Sequence, residues 1–184
     1  MTYFVMHSGR KINIDNISER DICIEDIAHH LTKICRYGGA LPLDAHYSVA
    51  THSINLYYYA KFKGYGKDVK KALLLHDSSE AYLGDIIRGL KHLLPDYQVI
   101  EMKINNIINK KYNVRLGMSP LIKELDTRIV LDEVDKFFPD RYNLFEEQIK
   151  PLKKLDFRIY KDNNLQFIKN EFIDCCKEVG VYDR

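Results

Sequence analysis

The sequence predicts an all-α fold, a single-domain helical bundle. Three observations point there. Apolar residues recur at three- and four-residue spacing along most of the chain, no stretch alternates long enough to build a sheet, and prolines and glycines fall at the ends of periodic segments. Near the start, Ser8-Gly9 and the alternating Ile12 and Ile14 suggest a turn and a short extended piece, so residues 1–21 read as an N-terminal extension. Ile24, Ile27, Leu31 and Ile34 then line one stripe of a helix expected to end near Gly38-Gly39. Asp44 is a candidate cap for a second helix, which carries Val49, Leu56 and Tyr59 and is stopped by Gly64 and Gly66. A third is expected from about Lys67 to Leu83, with Val69, Leu73, His76 and Glu80 along one side. Segments near 96–113, 119–138 and 162–179 also read as amphipathic helices. Residues 22–140 would form the core, with 141–184 packed on it as C-terminal helices.

Composition narrows the function classes. The chain has 184 residues, 46% of them hydrophobic and 29% charged, which suits one ordinary globular domain. A net charge of +2 gives no electrostatic footing for a nucleic-acid polymer or an acidic membrane surface. No apolar run approaches the roughly 18–20 residues of a membrane helix. The first residues lack the charged start and apolar stretch of a signal peptide. Cys23, Cys35, Cys175 and Cys176 contain no Cys-x-x-Cys pair, a usage that suits a reducing compartment. A cytoplasmic protein is expected.

Chemistry concentrates in Leu74-Leu75-His76-Asp77-Ser78-Ser79-Glu80-Ala81-Tyr82-Leu83-Gly84-Asp85, where an apolar run leads into a His-Asp pair. Charged groups beside a core are costly unless paired or bound to metal. A His-Asp dipeptide alone is read equally well as a histidine hydrogen-bonded to a neighbouring helix. Two further positions change that balance. His52 lies 24 residues upstream of His76 on the preceding helix, and Asp126 lies 49 residues downstream of Asp77, bracketed by core residues. In order, His52, His76-Asp77 and Asp126 offer two imidazole nitrogens and two carboxylate oxygens from three helices.

These blocks resemble the HD-domain metal-dependent phosphohydrolases, and within them the compact nucleotidase-like branch of bacteria and phages. The resemblance spans Ile22 to Phe138 through Ile24-Glu25-Asp26-Ile27-Ala28, Cys35-Arg36-Tyr37-Gly38-Gly39, Tyr47-Ser48-Val49-Ala50-Thr51-His52-Ser53, Leu74-Leu75-His76-Asp77 and Glu80-Ala81-Tyr82-Leu83-Gly84-Asp85-Ile86. It implies that His52, His76, Asp77 and Asp126 are metal ligands. A mixed nitrogen and oxygen set suits Mn, Co, Zn, Fe or Ni better than Mg. A divalent ion there can acidify water from a pKa of about 15.7 towards about 7 and neutralise phosphate charge. By the same resemblance, Glu80 orients or deprotonates the attacking water, and Asp85 protonates the leaving oxygen or holds that water. Asp85 is equally readable as an N-cap for the next helix.

The resemblance also implies substrate contacts. Arg36 matches a phosphate-binding arginine, and Lys91 a phosphate-binding lysine. Tyr37 stands where these nucleotidases often carry tryptophan and could pack on sugar or base, although a plain core aromatic is the simpler reading. Gly89 departs from the family, many members of which have proline there. The expected activity is hydrolysis of deoxynucleotides, with the phage dATP triphosphohydrolases slightly favoured because Arg36, Lys91 and Arg88 or Lys123 could serve a polyphosphate. The alternative is a 5′-deoxynucleotidase on monophosphates, and a catalytically silent nucleotide-binding module is a third. A homo-oligomer, dimer or larger ring, is expected by family analogy.

Other residues are set aside at this stage. His46 lies outside the matched block, adjacent His29 and His30 point about 100° apart on a helix with one expected in the core and one exposed, and His7 and His92 lack matching partners. Gly64-Tyr65-Gly66 superficially resembles the Gly-Tyr-Pro signature of the cyclic-dinucleotide branch but lacks its proline. Asp132, Glu133 and Asp135 read as a solvated acidic face beyond Asp126.

Overall fold

The computed structural model describes residues 3–41, 46–138, 150–152 and 164–183. A hairpin opens the chain, β1 (Tyr3–Val5) pairing antiparallel with β2 (Lys11–Asn13) around a turn in which Gly9 adopts positive φ. It buries Met6 and Ile12 in the main core. The rest is a single-domain helical bundle: α1 (Ile24–Lys33), α2 (Val49–Phe62), α3 (Lys67–Leu75), α4 (Glu80–Leu83), α5 (Arg88–Lys91), α6 (Pro95–Tyr112), α7 (Pro120–Phe137) and α8 (Leu165–Glu178). Among the described residues the fold is all-α apart from that hairpin and short 3-10 turns.

Each helix follows from local chemistry. In α1 the expected stripe of Ile24, Ile27 and Leu31 is buried, but the helix stops at Lys33 rather than running to the glycines. Residues 36–39 instead form a tight turn in which Tyr37, Gly38 and Gly39 all have positive φ. The cap of α2 is Ser48, whose hydroxyl accepts from the Thr51 N–H at 3.1 Å; Asp44 lies outside the described residues. Helix α2 is buried nearly all round and packs against α1, α3, α7 and α8, as expected of a central helix. Pro95 and Pro120 open α6 and α7 at the position where a missing N–H does no harm.

The third expected helix breaks in two. Between α3 and α4, residues 76–79 tighten into three-residue turns, with Ser78 N donating to Leu75 O at 3.1 Å and Glu80 N to Asp77 O at 3.0 Å. The His76 imidazole takes the Leu73 carbonyl at 2.7 Å and so competes for an acceptor of the last turn of α3. The two serines that follow do little to keep the helix going. Of the C-terminal segment, α8 packs on α1 and α2 through Phe172, Cys175 and Cys176. All four cysteines are free. No helix among the described residues is long and apolar enough to cross a membrane.

Candidate metal centre and its pocket

Helix α2 supplies His52, the turn after α3 supplies His76 and Asp77, and α7 supplies Asp126. Their ligand atoms converge. His52 Nε2 lies 3.3 Å from His76 Nε2 and 3.2 Å from Asp126 Oδ1, with His76 Nε2 and Asp126 Oδ1 3.6 Å apart. Asp77 Oδ2 is 3.0 Å from His76 Nε2 and 3.8 Å from His52 Nε2. Ligands bound at about 2.1 Å in tetrahedral or octahedral geometry stand roughly 3.0–3.4 Å apart, so this spacing fits a divalent ion. His52, His76 and Asp126 form the tightest group, and Asp77 stands at its edge, drawn 3.4 Å from Arg36 Nη1.

Both imidazoles are oriented from behind. His76 Nδ1 is held by the Leu73 carbonyl, and His52 Nδ1 meets Glu133 Oε1 at 2.5 Å, so each ring turns Nε2 toward the shared point. Glu133 is fully buried and gathers more partners. Its carboxylate accepts from the Tyr37 hydroxyl and from the Tyr47 hydroxyl at 2.7 Å, and Arg36 Nε lies 3.5 Å away. Asn55 Nδ2 in turn donates to the Tyr47 hydroxyl at 3.0 Å. Burial alone would raise the Glu133 carboxyl, but His52 and Arg36 outweigh it and hold the group below its ordinary value. Glu133 is therefore no part of a solvated face. Among its two acidic neighbours, Asp132 accepts from the Leu152 N–H at 2.6 Å, and only Asp135 is exposed. The missed signal was spacing: Glu133 follows Asp126 by seven residues, two helical turns, and so shares its face.

In front of the cluster opens a cavity of about 360 Å³ that Arg36, Tyr37, Asp77, Glu80, Asp85, Lys91 and Asp126 help to line. All nine residues singled out from the sequence thus meet at one place. Glu80 is 5% exposed, and its Oε2 has no hydrogen-bond partner among the described residues. Burial, with the Asp77 and Asp85 carboxylates close by, pushes its carboxyl well above the ordinary range. Asp85 is raised as well, by burial first and then by Asp77. It caps nothing, because the short helix α5 is preceded by Ile87 and has no side-chain cap. Burial works to raise Asp77 too, yet the His76 imidazole beside it outweighs that and holds it at about 2.

Two of the three cations that line the cavity, Arg36 and Lys91, are already engaged. Lys91 Nζ is 2.6 Å from Glu101 Oε1, a partner that sequence reading missed, whereas Arg88 is 67% exposed on its side chain and only 3.9 Å from Asp126. Lys123 is exposed and does not line the cavity. Tyr37 holds a left-handed backbone, φ 58°, a conformation worth roughly 1–3 kcal/mol of strain for such a residue. Its hydroxyl bond to Glu133 and an edge contact with Phe138 at 5.5 Å hold it there while its ring faces the cavity.

The histidines set aside lie elsewhere. His46 bonds the Thr32 carbonyl at 2.8 Å. His29 and His30 are both half-buried rather than one in and one out, and His7 does have a partner, stacking on His29 with ring centres 3.5 Å apart.

No protein-family model matches the chain. It is 42% identical over 89 residues to an uncharacterized protein of Rhodobacter capsulatus, covering 47% of this chain and 45% of that one. It is 36% identical over 133 residues to the uncharacterized protein YfdR of Escherichia coli K12, covering 72% of this chain and 71% of that one. Identity at that level across more than two thirds of both chains shows shared descent, and the chain belongs to the same family as YfdR.

Proposed function

We propose that this protein is a metal-dependent phosphohydrolase of the HD-domain type that acts on deoxynucleotides. One observation carries the reading: a buried glutamate with an unpartnered oxygen faces the same cavity as the converged group of His52, His76 and Asp126, with Asp77 at its edge, and three cationic side chains. His52, His76 and Asp126, with Asp77 at the edge, would hold the ion. When bound, the ion supplies a Lewis acid for a phosphoryl oxygen and acidifies water, and Mn, Co, Zn, Fe or Ni suits these donors better than Mg. Arg36 and Lys91 bind and orient the phosphate. Glu80, whose surroundings raise its affinity for a proton, takes one at Oε2 from the attacking water. Asp85, raised as well, is placed to hand a proton to the leaving 5′ oxygen. Tyr37 presents its ring to the sugar or base.

The number of phosphates removed follows from charge. Arg36 lies beside Asp77 and Glu133, and Lys91 is paired with Glu101, so of the three cavity cations only the exposed Arg88 is left over for further phosphates. This favours a 5′-deoxynucleotidase on monophosphates over the dATP triphosphohydrolase expected from the sequence. A cytoplasmic setting, a small-molecule rather than polymer substrate and a homo-oligomeric assembly belong to the same proposal, the first supported by the four free cysteines.

The test is product analysis with each of the four deoxynucleoside mono- and triphosphates and with Mn, Co, Zn or Mg added in turn. Orthophosphate from monophosphates is the expected result. Intact triphosphate released from dATP would restore the triphosphohydrolase reading. Silence across the panel with metal bound would overturn the assignment in favour of a binding module.

A further inference from the structure

A second cavity, of about 470 Å³, lies between the start of α3, the end of α6 and the C-terminal tail, and Lys71, Lys111, Tyr112, Asn113, Gly180 and Tyr182 line it. We propose that this cleft binds a polyphosphate anion, at a site separate from the proposed active site. Nine helical residues of α3 set Lys67 about 13 Å from His76, so the two sites lie at opposite ends of one helix.

Two cations, Lys71 and Lys111, line the cleft, and Lys67 and Arg115 stand close enough to act on Lys71. Lys71 is only 8% exposed, and its ammonium donates to the carbonyls of Tyr112 at 3.0 Å and Asn113 at 3.5 Å, with no carboxylate in ion-pair reach among the described residues. Lys67 arches over Gly180, its Nζ 2.9 Å from where a Cβ on that glycine would stand. Lys111 bonds the Ile22 carbonyl and lies 3.4 Å from Asp183. Arg115, exposed, is 3.9 Å from Asp68. Among the described residues two carboxylates answer these charges, one with other work and one open to solvent. Asp183 accepts from the Tyr112 hydroxyl at 2.8 Å and from the Ile24 N–H at 2.9 Å, and Asp68 is half-exposed. Capping the end of α6 accounts for Lys71 alone and leaves the convergence of Lys67, Lys111 and Arg115 unexplained. Burial, and then the charge on Lys67, lowers the Lys71 ammonium, as expected where positive charge lacks a counter-ion. A compact anion with several charged oxygens would supply it, and lysines meet phosphate well as point charges. The Tyr182 ring, 55% exposed at the rim, could add a base contact if the phosphates belong to a nucleotide.

The experiment titrates the full ¹⁵N-labelled chain in EDTA with inorganic tripolyphosphate and, separately, with ATP. Amide shifts at Asn113 and Gly180 should saturate together, while any at Gly84 and Asp85 report on the other site. Lys67→Gln removes an exposed side chain, keeps the fold and should weaken the Asn113 and Gly180 response roughly tenfold. Tripolyphosphate and ATP binding equally supports recognition of the phosphates alone. Tighter ATP binding that Tyr182→Ala abolishes supports a nucleotide tail. No shift at Asn113 and Gly180 up to about 10 mM, a millimolar limit well above useful affinity, overturns the proposal. So does an affinity unchanged in both Lys67→Gln and Arg115→Gln.

Discussion

The two walls of the main cavity are built differently. At the back, His52, Glu133, Tyr47 and Asn55 lie in the bundle interior, each polar atom named above meeting a partner, and His76 is braced on the Leu73 carbonyl. At the front, Glu80 Oε2 has no partner, Asp85 caps nothing, and Arg88 and Ile87 stand in solvent. The back wall gains rigidity from satisfied hydrogen bonds, which suits atoms that must hold an ion to within a few tenths of an ångström. The front wall keeps groups whose bonds are unmade, and a substrate can make them. On the proposed function, satisfied bonds fix the ligand side and unmade bonds mark the side that meets substrate.

That division can be tested residue by residue. The largest effect belongs to Asp77→Ala, which removes a proposed charged ligand and should abolish bound metal and the proposed phosphatase activity together. Full metal stoichiometry in the dialysed variant would show that Asp77 is no ligand. Next comes Glu80→Gln at the front wall, where metal content should stay at the parent level while turnover falls by about 10²–10⁴-fold. Parent-like turnover would remove Glu80 from proton transfer.

Glu133→Gln probes the back wall, and there the order of effects reverses. Metal affinity, followed by competition with a chelator, should weaken by about 10–100-fold because His52 loses its charged support, whereas KM at saturating metal should hardly move. A large KM change with unaltered metal affinity would mean that Glu133 acts through Arg36 on the substrate. Arg88→Ala is milder, raising KM a few-fold without touching metal binding. An unchanged KM would leave Arg88 as plain surface.

The smallest effect concerns stability against pH in metal-free protein. Glu80 is raised in the folded state, so the fold binds that proton more tightly than the unfolded chain does. Stability linked to it is present at low pH and declines as pH rises above the unfolded value of about 4.3. Glu80→Gln should therefore melt higher than the parent above neutrality, by about 2–4 °C for each kcal/mol recovered, and lose that advantage in acid. Identical melting curves across pH would mean that the Glu80 carboxylate carries no penalty in the fold.

Most of the bundle is legible in single residues. The Ile24, Ile27, Leu31 stripe marks α1, and Pro95 and Pro120 mark the starts of α6 and α7, because periodicity and proline chemistry act within a few residues of chain. The break at residues 76–79 was not legible, since the Leu73 carbonyl and the His76 ring meet only once the ring has turned toward His52 and Asp126. Nor was the role of Tyr37, whose left-handed backbone depends on a glutamate 96 residues away.

From the chain alone come the helices and the order His52, His76-Asp77, Asp126, carried by local spacing and residue type, whereas the residues at the cavity mouth came from the family resemblance. Assembly of the bundle settled which charges are satisfied. Glu133 reaches His52 across 81 residues, and Glu101 takes Lys91 from a different helix. Such pairings depend on distances between helices, and helical periodicity says which way a side chain faces on its own helix without saying what will stand opposite.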